Sequence, residues 1–238
     1  NLLNKYFFFK TKSYEVHVLR LLLYAALLFY LALWVISRTG ILYLPKLGHS
    51  INVTLLYNPA IDGSYFEFFQ YLLLLWCSIL SFLVIRKRSL HGAGFIPVVY
   101  LFLFIDDFFR LHDSLIGDIL KDKYAKSFET FTFIRHKDLG EITFWLVILL
   151  ILLIVILCLY KRINQNSKNF IQVNLIFFIV LSFFGIFIDV VAANKPLIFN
   201  EFLINGAFTF VEEFGEIFTI SSAFLWIFHY LTTESIPN

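Results

Sequence analysis

Methionine is absent from the 238 residues, and cysteine, proline and glycine are sparse at two, five and ten. The gap includes the initiator, so the segment is expected to begin downstream of the true start. Cys77 and Cys158 stand far apart, with no CxxC or other metal-type spacing. That pattern argues against a disulfide scaffold and against cysteine-ligated metal. Charge is scarce too: 15% of residues are charged, where soluble domains carry about 25%. The net charge of +2 is too small to suggest nucleic acid or a strongly anionic surface as a partner.

What is present is apolar. Sixty per cent of the residues are hydrophobic and 31 are phenylalanine, with a mean hydropathy of +0.80. A hydrocarbon core about 30 Å thick needs roughly 20 apolar residues per helical crossing. Six stretches meet that need: about 17–37, 66–85, 94–120, 141–160, 170–193 and 200–230. The expected fold is all-α, a polytopic transmembrane bundle forming one unit over residues 1–238, with the lipid bilayer as its first partner. No signal peptide is evident, since the first apolar run is long enough to span and lacks a small-residue cleavage site.

Orientation rests on Lys and Arg. With the N-terminus inside, the inner segments carry nine: Lys5, Lys10, Lys12, Arg86, Lys87, Arg88, Lys161, Arg162 and Lys168. The outer ones carry eight: Arg38, Lys46, Lys121, Lys123, Lys126, Arg135, Lys137 and Lys195. Totals so close do not decide it. The clusters "RKR" and "KR" beside the second and fourth spans favour both termini inside. Residues 38–65 read as the longest connection, with a sequon at Asn52-Val53-Thr54 that matters only in a eukaryotic secretory pathway. Residues 121–140 mix basic and aromatic residues, as an interfacial amphipathic helix or an ordinary loop would.

The third and sixth spans share a pattern. "FIDDFFRL" (104–111) aligns with "FVEEFGEI" (210–217), pairing Asp106–Asp107 with Glu212–Glu213. Two three-span halves, 1–120 and 121–238, would point in opposite directions, as in an inverted-topology repeat. Outside those eight residues the halves show no convincing match.

Helical spacing sharpens the site. Residues three and four apart share a face, which groups Asp106, Arg110 and Asp113 in the third span. In the sixth it groups Asn205, Thr209, Glu212, Glu216 and Thr219, with Glu213 at the border. A charge near the bilayer centre costs about 2.5–3.5 kcal/mol on insertion scales, so such stripes face protein or water. The two are expected to meet, with Asp189 of the fifth span nearby. Seven acids (Asp106, Asp107, Asp113, Asp189, Glu212, Glu213 and Glu216) then oppose Arg110. Carboxylates so gathered hold protons or a cation. Asp106, His112, Glu212, Glu213 and Glu216 are the expected ligands for a divalent metal ion, if one binds.

Blander readings compete. Asp106 with Arg110 suits a structural ion pair, and Asp113 suits a solvated helix end. Glu67 and Gln70 open the second span, where polar residues usually sit at water level. The four tryptophans read as packing or belt residues.

The patterns Asp-Asp-x4-His-Asp in "DDFFRLHD" and Glu-Glu-x2-Glu in "EEFGEI" resemble a group of uncharacterised bacterial multi-pass membrane proteins. In that group an acidic pair precedes a His-Glu pair; here Asp113 follows His112 instead. The resemblance implies a shared fold in a bacterial inner membrane and supplies no activity. "EFGE" is also similar to the Glu-x-Gly-Asp motifs of three-plus-three cation exchangers, but the lysine that follows that motif is missing.

Three functions fit the residues. The first is transport or conduction of a cation, a divalent metal or a proton, through the acid cluster. The second is an accessory subunit of a membrane complex, or a self-associating chain, with the stripes serving as helix–helix glue. The third is an intramembrane metal-dependent enzyme acting on a lipid-like substrate; one central histidine and no nucleophile elbow count against it.

Overall fold

A computed structural model describes residues 14–43, 65–111, 136–159, 163–188, 191 and 201–233. His112, Asp113 and Asp189 lie outside these residues, as do 44–64 with the sequon and 112–135 with most of the basic and aromatic segment. The described residues are all helical or connecting, with no strand among them. Among the described residues there are six helices, in chain order α1 (Tyr14–Tyr43), α2 (Tyr65–Arg88), α3 (Phe95–Phe109), α4 (His136–Leu159), α5 (Gln165–Ser182) and α6 (Glu201–Thr232). A π-helical turn, Phe183–Ile188, continues α5.

Among the described residues, three helices are long and apolar enough to cross a membrane: Glu67–Arg88, Gln165–Ile188 and Phe210–Thr232. Val16–Phe29 of α1 and Trp145–Cys158 of α4 are shorter apolar stretches. The chain is an integral membrane protein. Lipid is the natural solvent for what it exposes. On α4 alone, Leu146, Val147, Leu150, Ile151, Leu153, Ile154 and Leu157 face outward.

The third span departs from the expected 94–120. Helix α3 ends at Phe109, and Arg110 turns into the left-handed region with φ 51° and ψ 48°. Its N–H bonds the carbonyls of Asp106 and Asp107 and so closes the helix. Fifteen residues rise about 22 Å, short of the roughly 30 Å hydrocarbon core. Helical spacing therefore cannot be extended from Asp106 past Phe109 to Arg110. The eight-residue match also falls at a helix end in α3 and inside the 32-residue helix α6.

Helix α6 is the hub, packing against α1, α2, α5 and the π-helical turn, while α2 also packs along α3. Trp226, buried at 3% exposure, stacks near Phe170, Phe177 and Tyr230 and fastens α5 to α6. Tyr100 of α3 donates to Asn174 Oδ1 of α5 at 2.9 Å, and Asn174 Nδ2 donates to the Phe170 carbonyl at 2.8 Å. Both side chains are buried with these partners made, as an apolar interior requires. Ser78 of α2 donates to the Pro97 carbonyl of α3 at 2.8 Å. Proline in the first turn leaves no intrahelical donor missing.

The helix ends sort by charge. Lys87 Nζ donates to the Leu231 carbonyl at 2.8 Å, and Arg88 donates to the Thr233 carbonyl. Those bonds place the C-terminal ends of α2 and α6 together. Ile163, just before α5, packs over Gly92, just before α3. Arg86, Lys87, Arg88, His91 and Lys168 thus lie at one end of the bundle. The start of α2, the close of α3 and the π-helical turn lie at the other.

Candidate functional site

A cavity of about 200 Å³ lies in the half of the bundle away from the basic end. Helices α2 to α6 and the π-helical turn line it. Its described lining includes Glu67, Gln70 and Tyr71 of α2, Asp107 and Arg110 of α3, and Glu212, Glu213 and Glu216 of α6. Trp145, Ile148, Leu149 and Leu152 of α4 and Phe178 of α5 form apolar wall. Five carboxylates therefore share the space with Arg110, the one fixed cation among the described lining residues.

Glu216 is seated between α2 and the π-helical turn. Gln70 Nε2 donates to its Oε2 at 2.8 Å, across 146 residues of sequence. Its Oε1 lies over Gly185, where a β-carbon would collide with it. The fit is reciprocal, since the Phe184 ring occupies the space a β-carbon would take at Gly215. Small residues at such contacts let helix backbones approach closely within a membrane. The contact falls on the π-helical turn, a geometry often associated with functional sites.

Glu213 differs. It lies within electrostatic reach of Glu216, Glu212, Glu67 and Asp107, and no hydrogen bond to it is found among the described residues. Glu67 lies one turn before Tyr71 and accepts its phenolic hydrogen bond. Thr219, expected on the acid stripe, is buried and returns its hydroxyl to the Gly215 carbonyl at 2.6 Å instead of lining the cavity.

Of the expected site residues, Asp107, Arg110, Glu212, Glu213 and Glu216 line one cavity. Asp106 is fully buried, at 0% exposure, and is not part of that lining. His112, Asp113 and Asp189 lie outside the described residues. Among the described residues, no three His, Cys, Asp or Glu side chains are grouped as metal ligands.

Sequence reasoning missed Glu67, Gln70, Tyr71 and Trp145. A signal existed for the first three: spacings of three and four put them on one face of α2. For Trp145, in a helix apolar on every side, there was none. The arrangement offers a cation several carboxylate oxygens, an amide and aromatic faces, and it disfavours an anion.

A family described as a domain of unknown function, DUF8692, matches residues 21–230 of the chain. No curated protein and no solved structure matches it.

Proposed function

Given that the chain belongs to this family of unknown function, we propose from its own residues that it binds and moves a cation across a bacterial inner membrane. The observation that carries the reading is the cavity, where five carboxylates on three helices surround one arginine. Intramembrane acids are costly and are kept where they handle ions or protons. A purely structural stripe would fill its space with helix contacts, whereas these carboxylates front open volume.

The candidate ions are protons and divalent metals. Protons need only the carboxylates themselves. A divalent metal needs ligands beyond those grouped among the described residues, with His112 the first candidate. The basic end meets the cytoplasmic leaflet by the positive-inside rule, which turns the cavity towards the outer half of the membrane. The test is metal analysis of the purified protein, followed by proton and divalent-ion flux in liposomes. Flux in wild type that falls in Glu216→Gln is the expected result. Equal background leak from both would remove the transport reading and leave the accessory-subunit one.

A further inference from the structure

We infer that the cavity accepts a small organic ammonium ion, an inference that rests on the cation-binding reading and names its substrate class. The first ground is size. About 200 Å³ is several times the roughly 30 Å³ that one water occupies in the liquid, so the space exceeds what a bare ion fills. The second is the spread of the carboxylates. Glu67 on α2, Asp107 on α3 and Glu213 on α6 border the cavity from different helices, and no three described acids are grouped as metal ligands. Donors spaced this way suit a charge carried on a larger body.

The third ground is the wall. Tyr71 and Trp145 line the same space, and aromatic faces attract ammonium groups through the ring quadrupole. The fourth is Glu213 itself. It is half-buried and borders the cavity, yet no hydrogen bond to it is found among the described residues. Glu216, by contrast, already accepts from Gln70. A carboxylate with no hydrogen bond among the described residues is the natural partner for an ammonium N–H. Glu213 takes the charge, and Trp145 and Tyr71 take the body.

The full chain in nanodiscs, titrated with benzylammonium and with neutral benzyl alcohol by calorimetry against empty nanodiscs, tests this. Benzylammonium is expected to bind saturably and at least about tenfold more tightly than benzyl alcohol, with about tenfold loss in Glu213→Gln and a smaller loss in Trp145→Leu. Thermal unfolding reports whether each variant is folded. Where Glu213→Gln is not, the comparison of the two ligands on wild type decides alone. Equal binding of the two ligands, or undiminished binding in folded Glu213→Gln, overturns the inference. Proton or metal flux that benzylammonium neither competes with nor inhibits also overturns it, while leaving the cation reading intact. No binding or movement of any cation removes both.

Discussion

The two ends of α2 meet charge in opposite ways. At its C-terminal end, Lys87 and Arg88 are answered by the last carbonyls of α6, and Arg88 also lies 4.3 Å from the centre of the Tyr230 ring. Cations at helix C-termini are favoured by the macrodipole, so this end joins α2 to α6 electrostatically. At its N-terminal end, Glu67 faces a cavity shared with four more carboxylates and one arginine. There like charges accumulate, and Glu213 has no hydrogen bond among the described residues. The first arrangement holds helices together. The second keeps space open between them, which stability alone does not favour.

That contrast separates stability from function, and substitutions at the two ends should divide accordingly. The largest expected effect is at the seat of Glu216. Gly185→Ala puts a methyl where Glu216 Oε1 lies, and the carboxylate, as the end of a flexible side chain, swings out of its seat at little cost to the fold. Cation flux should fall at least tenfold with the melting temperature nearly unchanged, measured in liposomes and by thermal unfolding.

Next comes the hydrogen bond across the α2–α6 joint of the cavity. Gln70→Leu removes the donor to Glu216 Oε2, a hydrogen bond whose loss costs about 1–3 kcal/mol. A roughly tenfold loss of flux in a folded protein is expected. Unchanged flux would show that Glu216 does not need its seat.

The basic end should behave in reverse. Arg88→Gln gives up the guanidinium bonds to Thr233 and the contact with Tyr230, lowering stability by about 1–2 kcal/mol. Flux per folded molecule should be unchanged. Flux falling with Arg88 as steeply as with Gln70 would merge the two regions into one.

The smallest perturbation tests sidedness. Cys77 is buried and Cys158 exposed, so Cys158→Ser gives a background free of exposed described thiols. In it, Ser89→Cys, at an exposed position beside the basic cluster, should react with an impermeant maleimide only from the cytoplasmic side. Reaction from outside would invert the orientation.

The glutamates of α6 were legible because a helical period and an insertion penalty act on the sequence directly. Glu212, Glu213 and Glu216 could not face lipid, whatever the partner. Glu67 and Gln70 read as residues at water level, because only packing reveals that α2 turns them towards α3 and α6. The close of α3 was not legible at all. "FFRLH" contains neither glycine nor proline, and a left-handed arginine costs of order 1–3 kcal/mol that the surrounding fold must supply. Gly185 and Gly215 stand in apolar spans with nothing in the sequence to single them out. Their reciprocal fit with Glu216 and Phe184 depends on how two helices meet, which neither span encodes alone.

The most direct measurement is a side-by-side liposome flux assay of wild type, Glu216→Gln and Arg88→Gln, with each signal normalised to folded protein. Proton or cation flux is expected in wild type and in Arg88→Gln, with at least a tenfold loss in Glu216→Gln. Flux indistinguishable from empty liposomes in all three, or equal in wild type and Glu216→Gln, would contradict a cation path through the carboxylate cavity.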